Sequence, residues 1–335
     1  MISMSEGAKG GVNIAAIAKK NTVWLVLIVM VIVVSIATGG SFVTPVNISN
    51  LLTTEAIKAM LTVGVMFTIL AKGIDISTAA VLALSATVSA SLCQQIGPDT
   101  LLHLSTPMPA FVGLIAGVAV AAVVGFCNGF FIAYTKIPPF IATLGAQLVV
   151  KGIALLYTNA YPVANLTPGF KIMGQGFLIP KVPNVVTVAV VVVIIGGVLL
   201  TQTRFGKNIF AIGGNDIAAK VAGIKVEKNL ILAYTFCSCC AGLGGVLLAS
   251  RSGSGIATLG FNYELDAIAA ATVGGTSHTG GVARISGVIA GILILGVINN
   301  GLLILGVSPY IQQIVKGGII VGAVVWDMRK HAKKA

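Results

Sequence analysis

The chain has 335 residues, of which 56% are hydrophobic and only 9% are charged. A soluble globular domain carries about 25% charged residues, so a chain of this composition could not cover its surface with polar groups in water. The composition therefore excludes a soluble enzyme and a nucleic-acid-binding domain, and it predicts an all-α polytopic membrane protein. We interpret the net charge of +12 as lysine and arginine left on one membrane face.

Ten apolar segments are predicted as transmembrane helices, since a helix needs about 20 mostly apolar residues to cross the hydrocarbon core. The first follows a basic stretch, as in a signal peptide, but it lacks a clean cleavage site and is predicted to be an uncleaved span. The eighth is short and ends in glycine, so we expect a broken or partial span there. In chain order the predicted spans are 23–43, 52–71, 76–96, 110–135, 139–157, 183–201, 229–250, 264–277, 283–306 and 310–327.

The loop charges predict the orientation of these spans. If the N-terminus is cytoplasmic and the loops alternate, most of the 21 lysines and arginines fall in cytoplasmic segments. Only Lys171, Lys181 and Arg251 then fall in outer loops, which predicts that both termini are cytoplasmic. The predicted organisation is a cytoplasmic N-terminal segment 1–22, a transmembrane domain 23–327 with a cytoplasmic loop 201–229, and a basic cytoplasmic tail 328–335.

Short motifs recur in the two halves of the chain and pair predicted spans two to five with spans seven to ten. An offset of five spans would invert the second copy, and inverted repeats often place a translocation path at their interface. The other interpretation is coincidence, because alanine, glycine and isoleucine are abundant in this chain. The recurring motifs are Asn128-Gly129 followed by Pro139-Phe140-Ile141, and Asn300-Gly301 followed by Pro309-Tyr310-Ile311.

The sequence carries no recognisable motif for catalysis or for a metal site. It has no phosphate loop of the Gly-x-x-x-x-Gly-Lys-Ser/Thr type, so it does not hydrolyse ATP by that route. Its histidines, His103, His278 and His331, have no partners at metal-ligand spacing. Its five cysteines lie in apolar runs, which favours a packing role over a disulfide or a metal cluster. We therefore predict no catalytic residue, no metal and no cofactor in this chain.

The acidic residues are expected only at span ends and in loops, which argues against a carrier coupled to protons or sodium. Polar side chains within or beside the spans could line a path for a neutral hydroxylated solute, or they could only join helices. Lys151 and Lys316, inside predicted spans, either extend to a membrane face or lie in the path. The predicted path residues are Asp75, Asn128, Thr143, Gln147, Asn299, Asn300 and Gln312.

The cytoplasmic loop 201–229 contains a predicted short helix. Asn215 or Asp216 can cap its first turn, and Gly223 can end it in the left-handed conformation. The small side chains of this helix suit docking into a groove of a partner protein, although an ordinary basic loop is the alternative. The predicted docking residues are Gly213, Gly214, Asn215, Asp216, Ala218, Ala219 and Gly223.

Four motifs resemble those of the permeases in the ribose/galactose/xylose class of ABC sugar importers, most closely the methylgalactoside/galactose branch. The resemblance runs from about residue 45 to the C-terminus. Lys72 departs from that class, which usually has glycine there, and His278 stands where a small or apolar residue is usual. The motifs are Thr203-Arg204-Phe205-Gly206-Lys207 with Ala211-Ile212-Gly213-Gly214-Asn215, Gly73-Ile74-Asp75-Ile76-Ser77, Pro139-Phe140-Ile141-Ala142-Thr143-Leu144-Gly145, and Tyr263-Glu264-Leu265-Asp266-Ala267-Ile268-Ala269-Ala270.

The resemblance implies a non-catalytic permease subunit in the bacterial cytoplasmic membrane that imports a monosaccharide of the galactose/methylgalactoside or ribose type. It implies three partners: a cytoplasmic ABC ATPase, a periplasmic or lipid-anchored sugar-binding protein, and a second permease subunit, identical or different. ATP binding would pull the docking residues together and switch the pore between two packed states. The alternatives are an ion-coupled secondary sugar carrier and a passive channel or scaffold.

Overall fold

A computed structural model of the chain describes residues 22–98 and 100–332. Almost all of the predicted N-terminal segment 1–22, and residues 333–335 of the predicted tail, lie outside the described residues. The helices are α1 Thr22–Ala37, α2 Pro45–Leu70, α3 Thr78–Leu92, α4 Ala110–Thr135, α5 Pro139–Thr158, α6 Pro168–Gln175, α7 Asn184–Gln202, α8 Arg204–Gly214, α9 Asp216–Val221, α10 Val226–Ser252, α11 Tyr263–Val273, α12 Ile285–Ile304 and α13 Pro309–Ala332. A short 3-10 turn, Ser41–Val43, follows α1, and a small antiparallel hairpin of β1 Phe177–Ile179 and β2 Val182–Pro183 follows α6.

Each predicted span corresponds to one helix. Within the described ranges, seven helices are long and apolar enough to cross a membrane, namely α2, α4, α5, α7, α10, α12 and α13. The helices α1 and α3 are apolar but shorter, and α11 has only 11 residues, as expected of a partial span.

Two predicted spans, 23–43 and 76–96, are too long. The first helix ends at Ala37 because Gly39 and Gly40 turn the backbone into the left-handed region, with φ of 57° and 85°. The helix α3 ends at Leu92, and Gln94 beyond it pairs with Leu166 in an isolated β-bridge.

The centre of the fold is formed by α2 and α10, which pack directly against each other. A β-carbon on Gly64 of α2 would come within 2.8 Å of the Cys237 backbone on α10, so the two backbones nearly touch there. Small residues spaced four apart give α4 a similar face toward α10 and α3. Close backbone approach through small residues is the usual way in which membrane helices associate. The small residues of α4 are Gly113, Gly117, Ala121, Gly125 and Gly129.

The helix contacts around α2 and α10 follow the same pattern in the two halves of the chain. The helix α10 packs on α3 and α4, while α2 packs on α11 and α12. The pairs α3–α4 and α3–α5 in the first half have the counterparts α11–α12 and α11–α13 in the second half. This arrangement supports an internal repeat of the predicted spans two to five and seven to ten, over coincidence of short motifs.

Four charges, three of them buried, join α2, α11 and α13. Lys58 Nζ lies 2.8 Å from Glu55 Oε1 and 3.3 Å from Asp266 Oδ2. Lys316 Nζ lies 2.7 Å from Asp266 Oδ1. The expectation that acidic residues lie only at span ends and in loops is therefore wrong for Glu55, which lies inside α2 and is 6% exposed. Two carboxylates and two ammonium groups balance each other, which is how ionised groups are tolerated between membrane helices.

We expect the substitution Lys58→Met to destabilise the protein by about 3–5 kcal/mol, because it leaves two buried carboxylates with a single ammonium partner. The measurement is the midpoint of thermal unfolding of the detergent-purified protein. The matched control is Lys220→Met, which removes the exposed pair between Lys220 and Glu227 and should cost at most about 1 kcal/mol. Equal shifts for the two variants would contradict a structural role for the buried cluster.

Candidate functional site

The predicted cytoplasmic loop folds into two helices rather than one. The helix α8, which the sequence did not predict, begins after Thr203, whose hydroxyl oxygen accepts a hydrogen bond from the Gly206 N–H at 3.2 Å. Phe205 stacks on Phe67 of α2, with ring centroids 5.5 Å apart. The buried side chain of Ile209 adds an apolar contact on the same side, so α8 is fixed to the C-terminal end of α2.

The end of α8 fits into a narrow seat made of backbone. A β-carbon on Gly213 would overlap the carbonyl oxygen of Leu70, at the end of α2. The same carbonyl accepts a hydrogen bond from the Gly281 N–H at 3.1 Å. Lys72, which has a φ of 61°, donates from Nζ to the Gly214 carbonyl at 3.3 Å. Lys72, which replaces the glycine usual in the sugar permeases that the sequence resembles, thus contacts the loop directly.

The helix α9 carries the exposed part of the loop. Asn215 caps it by accepting the Ala218 N–H at 2.9 Å, and Gly223 ends it with a φ of 81°, as predicted. Ala219 is buried against the chain itself. The side chains that project outward are Ile217, which is 73% exposed, and Val221, which is 86% exposed. An apolar pair one helical turn apart on an otherwise basic surface is suited to a protein partner.

A polar turn connects this seat to α11 and to the C-terminal part of α13. Asp327 of α13 accepts hydrogen bonds from the Ser277 hydroxyl and from the His278 N–H, both at 3.0 Å. His278 Nε2 lies 2.7 Å from the Thr272 hydroxyl of α11. Burial lowers the pKa of His278 below its usual value, although the Asp327 carboxylate acts in the opposite direction. A neutral His278 therefore joins α11 to the turn that touches α8.

Three of the predicted path residues meet at one turn, residues 73–77. Ser77 donates from both its N–H and its hydroxyl to Asp75 Oδ1, at 3.0 and 2.6 Å. Asn128 Nδ2 donates to the Ser77 hydroxyl at 2.9 Å. The Thr143 hydroxyl donates to the Ile74 carbonyl at 3.0 Å. The turn between α2 and α3 is thus tied to α4 and α5 by these side chains.

The other predicted path residues are dispersed. Gln147 Nε2 donates to Glu264 Oε1 at 3.3 Å, which joins α5 to α11. Asn300 and Asn47 exchange amide hydrogen bonds of 2.8 and 3.0 Å, which hold α12 beside the start of α2. Gln312 donates to the Val307 carbonyl at 2.8 Å near the start of α13, and Asn299 is half-buried on α12.

Sequence reasoning missed two parts of the site. Ile217 and Val221 flank the predicted Ala218-Ala219 pair at a spacing of four, so helical periodicity could have identified them. The Leu70 carbonyl seat had no signal in the sequence, because any residue supplies the same backbone oxygen.

Comparison with known proteins identifies relatives along nearly the whole chain. Residues 47–324 match the family described as "Branched-chain amino acid transport system / permease component". The galactose/methyl galactoside import permease protein of Salmonella typhimurium is 40% identical over 94% of this chain and 96% of its own. The ribose import permease protein of Bacillus subtilis is 40% identical over 92% of both chains. The D-allose transport system permease protein of Escherichia coli is 35% identical over 94% of this chain and 93% of its own.

No solved structure matches this chain. The family match covers well over half of the residues, and the relatives align with at least 92% of the chain. The chain therefore belongs to the family of branched-chain amino acid transport system permease components.

Proposed function

We propose that this chain is the membrane-spanning, non-catalytic permease subunit of an ATP-driven importer that carries a monosaccharide across the bacterial cytoplasmic membrane. The observation that carries the proposal is identity of 35–40% over at least 92% of both chains with permeases named for galactose, ribose and allose. The family description names branched-chain amino acids instead. The individual relatives favour a sugar over an amino acid as the substrate, because their alignments cover more of the chain than the family match does.

The helix α9 is the proposed contact with a cytoplasmic ABC ATPase. Three of the predicted docking residues, Asp216, Ala218 and Ala219, lie on this six-residue helix, and the others flank it. The helix exposes Ile217, Ala218 and Val221. If the bound ATPase displaced α9, the movement would be transmitted through α8 to the Leu70 carbonyl and to the turn that contains Gly281. The seat is rigid because it is built of backbone contacts, so displacement of α9 would be passed on to α2 and α11.

The remaining proposal concerns the pore. Ten membrane segments with cytoplasmic termini, arranged as two inverted units centred on α2 and α10, would form one half of it. A second permease subunit, the same or a different chain, would form the other half. The predicted path residues Asp75, Asn128, Thr143, Gln147, Asn299, Asn300 and Gln312 are candidates for its wall. A periplasmic or lipid-anchored binding protein would deliver the sugar.

The buried charges do not favour an ion-coupled carrier. Ion-coupled carriers keep an ionisable group that exchanges its partner during transport. Here both carboxylates of the cluster, Glu55 and Asp266, already lie within 3.3 Å of Lys58, and Lys316 adds a second contact. The cluster is neutral as a whole and is better suited to holding helices together.

We expect ATP-dependent uptake of radiolabelled D-galactose, D-ribose or D-allose into proteoliposomes that hold this chain, the ATPase and the binding protein encoded with it. Uptake should need all three components and should persist when an ionophore collapses ion gradients. Leucine, tested in parallel, should not be taken up. Uptake of leucine alone, or sugar uptake by the chain without the ATPase, would contradict the proposal.

The substitutions Ile217→Asp and Val221→Asp should each abolish sugar uptake and lower the stimulated ATPase rate by at least about tenfold, because a charge at an apolar contact removes it. Both side chains are exposed, so membrane insertion and thermal stability should not change. The control Thr201→Asp adds the same charge at an exposed position outside α9. If the α9 variants behaved like this control, the helix would not be the docking element.

The substitution Gly213→Ala should uncouple ATP hydrolysis from uptake, because a β-carbon overlaps the Leu70 carbonyl and forces α8 out of its seat. The adjacent variant Gly214→Ala is a matched control, since its β-carbon would meet no atom within 4 Å. The readout is sugar taken up per ATP hydrolysed, measured in the same proteoliposomes. Equal ratios for the two variants would show that the seat does not transmit the movement.

A further inference from the structure

A polar patch lies where α5 meets the start of α11. Gln147 Nε2 donates to Glu264 Oε1 at 3.3 Å, a long hydrogen bond that another donor could replace. Glu264 is only 4% exposed, and its second oxygen, Oε2, is buried with no hydrogen-bond partner among the described residues. A buried carboxylate oxygen without a donor is costly, so this oxygen is ready to accept one.

An exposed aromatic ring lies three residues before Glu264 and is in contact with Lys151. Phe261, just before α11, is 67% exposed. Lys151 Nζ lies 5.9 Å from the centroid of its ring. Because Lys151 is four residues from Gln147, both lie on one face of α5. The patch thus combines an amide, a carboxylate, an ammonium group and an aromatic face.

The depth of the patch argues that it does not face lipid. Gln147 is the ninth residue of α5, about 12 Å from the start of that helix at 1.5 Å per residue. Amide and charged groups at such a depth are expensive against hydrocarbon, and they face either the protein interior or a water-filled cavity, where they mark substrate pathways. Lys151 and Glu264 compensate each other, so the patch offers no net charge to an ionic solute.

A sugar ring matches this combination. It has an apolar face of C–H groups and an edge of hydroxyls. A carboxylate oxygen accepts a hydroxyl proton, and an amide both donates and accepts. Ligand sites typically combine an aromatic surface with a few polar groups in fixed positions. Transporters also place such sites at the ends of short, discontinuous helices, and α11 has only 11 residues.

We infer that Phe261, Gln147 and Glu264 form a contact site for the monosaccharide in the wall of the translocation path. Phe261 stacks on the apolar face of the sugar ring, while Glu264 Oε2 and the Gln147 amide bind its hydroxyls. This assignment rests on the proposed function, and it adds two residues, Phe261 and Glu264, to the path candidates that the sequence predicted.

The test is the variant Phe261→Ala in proteoliposomes with the unmodified ATPase and binding protein, with labelled D-galactose, D-ribose and D-allose as probes. Uptake should fall about tenfold, the effect of losing one good contact, and Phe261→Trp should retain most of it. ATP hydrolysis stimulated by the sugar-loaded binding protein should change less than about twofold, because α9 and its seat are intact. A second variant, Gln147→Leu, should lower uptake in the same way.

The control is Leu156→Ala, which truncates an exposed apolar residue on α5, the helix that carries Gln147. Uptake by Phe261→Ala at the rate of this control would overturn the assignment. Equal loss in Phe261→Ala and Phe261→Trp, with loss of stimulated ATP hydrolysis, would indicate a structural role and would also overturn it. If the unmodified chain took up none of the three sugars, the proposed function would fail together with the site.

Discussion

The close approach of α10 to α2, α3 and α4 is the constraint on which the rest of the structure depends. In a bilayer there is no hydrophobic force between helices, so their association relies on tight packing and on hydrogen bonds. Gly64 lets the α2 backbone approach Cys237, and Gly245 of α10 lies against the Leu82 carbonyl of α3. With two long helices fixed at this spacing, the shorter α3 is held against α10 and the shorter α11 against α2.

The predicted cytoplasmic loop is attached to this centre at a point where several elements meet. The Leu70 carbonyl at the end of α2 receives Gly281, and Gly213 lies against it. The turn that contains Gly281 is bonded in turn to Asp327 of α13. The helix α13 is also held to α11 through Lys316. Under the proposed function, a displacement of α8 would reach α2, α11 and α13 through these contacts.

The sequence predicted the order of the helices well because each apolar run is long and is bounded by charged or turn residues. It predicted the cap at Asn215 and the left-handed Gly223 from local rules that need no tertiary contact. It did not predict α8, because that helix is stabilised by burying Ile209 and by stacking Phe205 on Phe67. Packing between distant segments leaves no local pattern.

In the candidate site too, local features were predictable from the sequence and tertiary contacts were not. Asp75 and Asn128 were identified as polar residues near apolar spans, but their meeting at Ser77 depends on how α3 and α4 pack. Glu55 was expected at a span end because the predicted span begins at residue 52. The helix α2 in fact begins at Pro45, earlier than the hydrophobicity of the segment suggests. Seven additional residues at the start of the helix convert a peripheral carboxylate into one that needs Lys58 as a partner.

The buried charge cluster also bears on the source of energy. Lys58 bridges carboxylates on two different helices, so separating α2 from α11 would expose at least one of them without its partner. Breaking a buried pair in this way costs several kcal/mol, and nothing in the cluster itself offsets that cost. The work of moving α11 against α2 must then be done from outside the helix layer. The route that we propose for it runs from the exposed face of α9 through α8 to the end of α2.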